Sequence, residues 1–161
     1  MGQYTTLFQA TEALRGFLEV TFHNKIPITR AMGIRVLRYD GTNLVLGAPL
    51  EPNVNDKGTA FGGSLYSLLV LAGWGLIHLK LKEEGINGEI MIHESTVSYS
   101  EPLTSDWQAH CRLPEAAGYT HFLEKLHSKG RARLALEAQI MSGPQVAVSF
   151  RGSYAVVCKQ F

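Results

Sequence analysis

Cysteine is scarce in this sequence: Cys111 and Cys158 are the only two, and neither belongs to a Cys-x-x-Cys pair. So few cysteines argue against a disulfide scaffold and are typical of a protein in a reducing compartment, with two buried thiols. The first residues, Met1–Thr11, also lack a charged region followed by an apolar one. No signal peptide is therefore predicted, and we expect a soluble cytoplasmic protein.

An excess of charge of either sign is also absent. The chain has 15 Lys and Arg residues against 14 Asp and Glu residues, which gives a net charge of +1. This balance provides no general attraction to nucleic acid or to an anionic membrane surface, and we expect neither as a partner. With 161 residues, 45% of them hydrophobic, the chain suits one globular domain with its own core, predicted to span residues 1–161.

Charge is missing altogether from Ala60–Leu79. This segment is long enough to be considered as a membrane span. However, Gly62, Gly63, Gly73 and Gly75, together with several polar residues, make it less apolar than a typical span. A helix that is apolar on nearly all sides is equally typical of a buried core helix. We therefore predict a central helix, reaching to about residue 82 and covered by the rest of the chain, and no membrane span.

Alternation of apolar and polar residues predicts β-strands on both sides of the central helix. The predicted strands are Ile34–Tyr39 and Leu44–Leu50, joined at Asp40-Gly41, and then Glu89–Tyr99, Trp107–Leu113, Ala132–Ile140 and Val146–Val156. The buried face of the last strand is predicted to consist of Val146, Val148, Phe150, Tyr154 and Val156. The other predicted elements are an amphipathic first helix over Thr5–His23, one more turn at Ile28–Met32, and a short helix or loop at Tyr119–Ser128. This order predicts an α+β protein whose antiparallel sheet wraps around one long helix.

One predicted strand changes its apolar face partway along. Ile90 and Ile92 share one parity, whereas Val97 and Tyr99 share the other. The change indicates either a β-bulge near residues 93–95 or a strand that is buried against two different partners. Bulges often lie beside active sites.

A polar, glycine-rich loop leads directly into the central helix. The loop sequence Asn55-Asp56-Lys57-Gly58-Thr59-Ala60-Phe61-Gly62-Gly63 resembles the Asn-x5-His-Gly-Gly signature that precedes the central helix in acyl thioesterases of the hot-dog fold. Thr96–Pro102 resembles the strand ending in Tyr, with a nearby Pro, of the same families. Together, Asn55–Gly75 and Gly88–Pro102 are most similar to the thioesterase-like domain at the C-terminal end of YiiD-type acetyltransferase-like proteins. The resemblance implies a hot-dog fold and a homodimer or dimer of dimers that hydrolyses acyl thioesters.

The start of the central helix has the chemistry that such a reaction needs. A helix N-terminus presents unpaired N–H groups and the positive end of the helix dipole, and the N–H groups of Gly62 and Gly63 could polarise a thioester carbonyl. Alternatively, these glycines only allow the helix to pack closely on the sheet. The resemblance gives Asn55 the role of positioning water or the carbonyl, but Asn55, Asn53 and Asp56 are equally suited to a turn or a helix cap. Further substrate contacts are predicted at Asn53, Thr59, Phe61 and Ser64.

Two positions depart from the family pattern. Phe61 stands where the family has His, and Val70 stands where many hot-dog thioesterases have an acid on the helix. Hydrolysis requires a base to activate water, so the base must come from elsewhere. Hot-dog dimers place the strand after the helix opposite the partner's loop. The resemblance therefore implies Glu94 as the first candidate for the base and Asp56 as the second, with His93 and Ser95 contacting substrate or water.

The sequence predicts no metal site and no bound cofactor. The histidines and cysteines lack metal-ligand spacing, and no phosphate-binding or dinucleotide motif is present. Coenzyme A or phosphopantetheine would arrive as part of the substrate. A basic cluster could receive the phosphates of coenzyme A or an acidic acyl carrier protein, or it could be an ordinary solvated face. Its members are Lys125, Lys129, Arg131, Arg133 and Arg151.

Two alternatives to hydrolysis remain at this stage. A non-catalytic module that binds acyl-CoA or acyl carrier protein would be consistent with the apolar Val70. Another hot-dog enzyme, such as an acyl-thioester dehydratase, would need the His that Phe61 replaces.

Overall fold

A computed structural model describes residues 2–159 of the chain, with the side chains of residues 2–8 outside the described part. The elements, in chain order, are α1 (Gly2–Lys25), α2 (Ile28–Ala31), β1 (Arg35–Tyr39), β2 (Asn43–Ala48), a 3-10 turn (Glu51–Asn53), α3 (Gly62–Glu83), β3 (Gly88–Tyr99), β4 (Trp107–Arg112), α4 (Ala116–Lys129), β5 (Arg131–Ser142) and β6 (Gln145–Cys158). Every predicted helix and strand is confirmed, with ends that differ by a few residues. Of the two interpretations of Tyr119–Ser128, the helix is the one observed.

The strands form one six-stranded antiparallel sheet in the order β1-β2-β4-β5-β6-β3. The concave side of this sheet holds α3, which packs against β2, β3, β4, β5 and β6. Because α3 is surrounded in this way, Leu68, Leu69, Ala72 and Leu76 have no exposed surface. A sheet wrapped around one long helix is the arrangement expected of the hot-dog fold, and the predicted fold class is confirmed.

α3 has the length and composition of a membrane span, with a mean hydropathy of 1.4 in its most apolar window. However, 61% of that window is buried inside the protein. Apolar residues on nearly all sides therefore reflect a helix whose surroundings are strands of the same chain.

The alternation predicted for β4 and β5 is observed residue by residue, with buried and exposed positions following one another along both strands. Val146 is an exception, because the prediction placed it on the buried face of β6 whereas 38% of it is exposed. The prediction is wrong because the register between β5 and β6 shifts between Ile140 and Met141. That shift puts Ala147 and Val148 in the core and turns Val146 outward.

The predicted bulge in β3 is confirmed. Its register against β6 shifts between Ile92, which lies opposite Tyr154, and Glu94, which lies opposite Ser153. One extra residue reverses the alternation along the strand. As a result, β3 packs against the core with even-numbered residues before the bulge and with odd-numbered residues after it, as Ile90 and Val97 do.

A glycine in the middle of α3 makes room for a buried tyrosine of β6. Tyr154 has no exposed surface, and its hydroxyl donates a hydrogen bond of 2.8 Å to the carbonyl oxygen of Val70. A Cβ atom at Gly73 would overlap both the hydroxyl and the ring of Tyr154. Burial, followed by smaller effects of Cys111 and Tyr66, raises the pKa of Tyr154, so the buried side chain stays neutral and acts as a donor.

Both cysteines are free, as expected, but only one of them is fully buried. Cys111 lies in the core, and burial raises the pKa of its thiol to about 12. Cys158, at the end of β6, is partly exposed, which corrects the expectation of two buried thiols.

Candidate active site

The loop before α3 is anchored by Asn53, whose side chain is only 3% exposed. Its amide nitrogen donates to the carbonyl oxygens of Met32, at 2.9 Å, and Pro49, at 2.8 Å. The carbonyl oxygen of Asn53 accepts a hydrogen bond from the N–H of Phe61 at 2.8 Å. Asn53 therefore ties both ends of the loop to the body of the protein, and its predicted contact with substrate stays a prediction.

Asn55 organises the tip of the same loop. Its side-chain oxygen accepts hydrogen bonds from the N–H groups of Lys57 and Thr59, and its amide nitrogen donates to the Thr59 hydroxyl at 2.8 Å. The geometry thus shows the turn-forming role for Asn55, with Thr59 as its partner. Asp56 lies beyond them in solvent, where its side chain is 80% exposed and 3.4 Å from the Lys57 ammonium.

The start of α3 leaves two backbone donors free. Phe61 precedes the helix in an extended conformation, and its carbonyl oxygen accepts hydrogen bonds from the N–H groups of Ser64 and Leu65. The N–H groups of Gly62 and Gly63 have no hydrogen-bond partner among residues 2–159. Since the helix dipole adds positive potential at this end, the two groups form a local site for negative charge.

The aromatic ring of Phe61 lies over Gly63, so closely that a side chain at Gly63 would overlap it. The side chain of Phe61 is nevertheless 55% exposed. Phe61 therefore contributes an apolar wall beside the free N–H groups, at the position of the His in the signature that the loop resembles. Ser64, in the first turn of α3, is almost fully buried.

Tyr99, the last residue of β3, contacts the first residue of α3. Its hydroxyl donates to the carbonyl oxygen of Gly62 at 3.1 Å, and its ring is close enough to make ordinary van der Waals contact with a Cβ at Gly62. Burial, with a smaller effect of Tyr66, raises the pKa of Tyr99, so the hydroxyl keeps its proton.

Two further contacts join α3 to β3. The hydroxyl groups of Tyr66 and Ser95 share a hydrogen bond of 2.8 Å, and the indole N–H of Trp74 donates to the carbonyl oxygen of Ile90 at 3.2 Å. The helix and the strand therefore run side by side in opposite directions, and Ser95 lies on the helix side of β3, while its predicted contact with substrate or water stays a prediction.

A stripe of partly exposed residues runs along α3 next to these contacts. It consists of Gly63, Ser67, Val70 and Trp74, spaced three and four residues apart on one helix face, and we call it the α3 stripe. Its far end is covered by α1, where the buried ring of Phe22 lies 5.9 Å from the Trp74 ring. The side chains of the α3 stripe are small near Gly63, and the indole of Trp74 lies at its other end.

The structure does not bring Glu94 to the glycines within one chain. His93 and Glu94 are exposed at the bulge, and Glu94 lies opposite Ser153 on the side of the sheet that faces away from α3. β3 is at one edge of the sheet, and no other strand among residues 2–159 pairs with its free side. The predicted role of Glu94, which requires a second chain, stays a prediction.

The far side of the sheet has an open trough with a volume of about 920 Å³ and a mixed polar and apolar lining. Its walls include Arg38, His110, Arg112, Glu137 and Arg151. The basic residues predicted as a cluster are all exposed on α4, β5 and β6, and those on β5 occupy the outward positions of its alternation. This pattern is the one a solvated face gives, and a role in binding coenzyme A stays a prediction.

Within residues 2–159, no group of three or more His, Cys, Asp or Glu side chains is arranged to hold a metal ion.

Sequence reasoning did not identify Tyr66 or Tyr99 as parts of the site. A signal for Tyr99 was present, because it ends the strand in the second segment that carries the family resemblance. Tyr66 has no comparable signal, since an aromatic residue in an apolar helix is ordinarily part of the core.

Comparison with known proteins gives one family and several similar structures. Residues 16–158 match the family described as "Putative thioesterase (yiiD_Cterm)". A protein of unknown function from Chlorobaculum tepidum is 36% identical and superposes with a TM-score of 0.88, with 92% of this chain and 97% of that chain covered. A "putative thioesterase" from Shewanella oneidensis is 30% identical with a TM-score of 0.83, covering 91% of this chain and 99% of that one. A thioesterase from Haemophilus influenzae shares the fold. It is 14% identical, with a TM-score of 0.70 and 88% of each chain covered.

Proposed function

The chain belongs to the thioesterase-like family of YiiD C-terminal domains, with the hot-dog fold, and from this premise we propose that it hydrolyses acyl thioesters carried by coenzyme A or by the phosphopantetheine of an acyl carrier protein. The observation that carries the proposal is the pair of free N–H groups at Gly62 and Gly63, at the positive end of α3.

The N–H groups act on the thioester carbonyl. Attack of water converts this carbonyl into a tetrahedral oxyanion, and donors already fixed around that oxygen stabilise it more than they stabilise the substrate. Both donors belong to glycines, so no side chain keeps the substrate away from them. The ring of Phe61 excludes water on one side, which strengthens the electrostatic interaction.

The acyl chain lies along the α3 stripe. Gly63, Ser67 and Val70 offer a path of small side chains that leads away from the N–H groups, and Trp74 ends it. An ideal helix rises about 1.5 Å per residue, so the path from Gly63 to Trp74 is roughly 16 Å long. This length suits a medium or long acyl chain better than acetyl.

The base comes from a second copy of the chain. β3 is an edge strand with a free side and several exposed apolar residues, among them Met91 and Ile92, which are 47% and 38% exposed. Pairing of this edge with its copy would cover them and form a homodimer. For Glu94 of one subunit to serve as the base for water held at Gly62 and Gly63 of the other, the two sheets must meet at an angle, because Glu94 faces away from α3 within its own chain.

A binding module without turnover is the second candidate function. It is favoured by one observation: Val70, on the α3 stripe, offers no carboxylate where many relatives of the fold have one. A dehydratase has less support, because Phe61 provides no proton-transfer group beside the glycines.

The test is to incubate the purified protein with acyl-CoA substrates of increasing chain length and to follow loss of the thioester absorbance. We expect turnover, with kcat/KM rising from acetyl to medium-chain substrates. Thiol release is measured in a Cys158→Ser variant, because Cys158 is free and partly exposed and would itself react with the thiol reagent. Saturable binding without loss of thioester would establish the binding module instead. Conversion of a 3-hydroxyacyl thioester to an enoyl thioester would establish the dehydratase.

A Glu94→Gln variant is expected to lower kcat on the order of 100-fold, because the amide cannot accept a proton from water. The matched control is Glu89→Gln, which removes a carboxylate from the same strand on the other side of the bulge and should leave kcat unchanged. Sedimentation of both variants checks that the assembly is preserved. A Glu94→Gln enzyme as fast as the wild type would show that Glu94 is not the base, and Asp56→Asn would then be measured.

A further inference from the structure

We propose that Tyr99 is a positioning residue, which fixes and polarises the peptide group whose N–H belongs to Gly63. This inference rests on the proposed function, because it assigns that N–H as one of the two oxyanion donors.

The argument starts from the geometry of a single peptide group. The carbonyl of Gly62 and the N–H of Gly63 are the two ends of one planar unit, pointing in opposite directions when the peptide is trans. The Tyr99 hydroxyl donates to that carbonyl oxygen at 3.1 Å. A hydrogen bond at one end of the unit therefore sets the direction of the N–H at the other end. It also increases the positive charge on that N–H, because hydrogen bonds in a chain polarise one another.

The Gly62-Gly63 peptide needs such a contact. Glycine has the greatest backbone freedom of any residue, and two glycines in succession are held less firmly than other residues would be. The start of α3 has no side-chain cap to compensate. Among the described residues, the Tyr99 hydroxyl is the only side-chain group that bonds to this peptide.

The backbone of Tyr99 is fixed in the sheet. It lies opposite Val148 in the pairing of β3 with β6, and the next residue, Ser100, donates its N–H to the carbonyl oxygen of Ala147 at 2.8 Å. Gly62 has no side chain, which allows the Tyr99 ring to approach the backbone. The sheet thus provides a fixed reference against which the two glycines at the helix start are aligned.

The hydroxyl is removed by Tyr99→Phe, which keeps the ring against Gly62. We expect kcat to fall about tenfold and KM to stay within about twofold, since the lost bond affects the oxyanion donor and not the surface that binds the acyl chain. The matched control is Tyr39→Phe, which removes a tyrosine hydroxyl bonded to Glu83 at the other end of α3, at 2.8 Å, and should leave kcat unchanged. A merely structural role for Tyr99 would raise KM and lower kcat together, or change neither, and either result would overturn the proposal.

A second measurement does not depend on turnover. In the amide NMR spectrum of the full chain, Tyr99→Phe is expected to shift the Gly63 N–H resonance upfield, because the polarisation of its peptide group is lost, while Tyr39→Phe leaves the resonance in place. If the wild type hydrolyses no thioester, the proposed function fails, and this spectrum alone decides whether Tyr99 fixes the peptide. An unshifted Gly63 resonance would overturn the proposal even in an active enzyme.

Discussion

A Gly62→Pro variant is expected to hydrolyse acyl thioesters on the order of 500-fold more slowly than the wild type, a loss of about 3.7 kcal/mol of transition-state stabilisation. Proline lacks the backbone N–H, so the substitution deletes one oxyanion donor without adding a charge. The fold should tolerate it, because Gly62 is the first residue of α3 and proline is favoured at this position of a helix. The preceding residue, Phe61, already has the extended conformation that proline requires, with φ −67° and ψ 128°.

The matched control is Gly62→Ala. Its Cβ would lie 3.6 Å from the Tyr99 ring, an ordinary contact, and its N–H remains. We expect kcat within about threefold of the wild type, so the pair of variants separates the donor from the effect of a side chain. Kinetics would be measured beside circular dichroism and thermal unfolding. A folded Gly62→Pro enzyme that keeps the kcat of Gly62→Ala would show that this N–H does not stabilise the transition state.

The largest effect on stability is expected for Gly73→Ala, which should lower the free energy of unfolding by about 3 kcal/mol. The new Cβ would overlap the hydroxyl and ring of Tyr154, which has no exposed surface and is bonded to the carbonyl oxygen of Val70. Neither side can move freely, because the helix and the strand are both packed into the sheet. Urea unfolding with a two-state fit gives the free energy.

Gly16→Ala provides the control, since Gly16 lies in α1 with nothing within 4 Å of an added Cβ. Alanine is the better helix former, so this variant should gain about 0.5 to 1 kcal/mol. Adding Tyr154→Phe to Gly73→Ala removes the tyrosine hydroxyl, which is the atom nearest to the new Cβ. The double variant should therefore lose less free energy of unfolding than the sum of the losses of the two single variants. A Gly73→Ala protein as stable as the wild type would show that α3 and β6 are less tightly packed than the structure indicates.

The fold could be predicted from the sequence because periodicity reports which face of an element is buried. The alternation of β4 and β5 and the parity change between Ile92 and Val97 each had a direct structural counterpart, including the bulge. Periodicity could not predict Val146, because β6 has its extra residue where Val146, Ala147 and Val148 are all apolar, so the sequence shows no alternation that would reveal the shift.

The site was only partly predictable. The loop and the two glycines could be located because backbone chemistry at a helix start depends on local sequence. The partners of individual atoms could not, since the amide of Asn53 bonds to Met32, and the hydroxyl of Tyr99 to Gly62, across long stretches of chain. The base is a different case, because its predicted position requires a second chain. The domain limits, the cytoplasmic location and the acyl carrier also stay predictions.

The bulge in β3 determines what one face of that strand can contain. In a regular strand, even-numbered and odd-numbered residues lie on opposite faces. If Ile90 and Ile92 faced α3, Ser95 and Tyr99 would then face solvent on the other side of the sheet. The extra residue at the register shift changes the phase of the alternation. One continuous surface therefore carries the aliphatic side chains of Ile90 and Ile92 in its first half, and the hydroxyl groups of Ser95 and Tyr99 on either side of Val97 in its second. Along α3, the first half lies near Trp74 and the second near Gly62. A single inserted residue thus gives one strand the two surfaces that an acyl thioester presents, a hydrocarbon tail and a polar head.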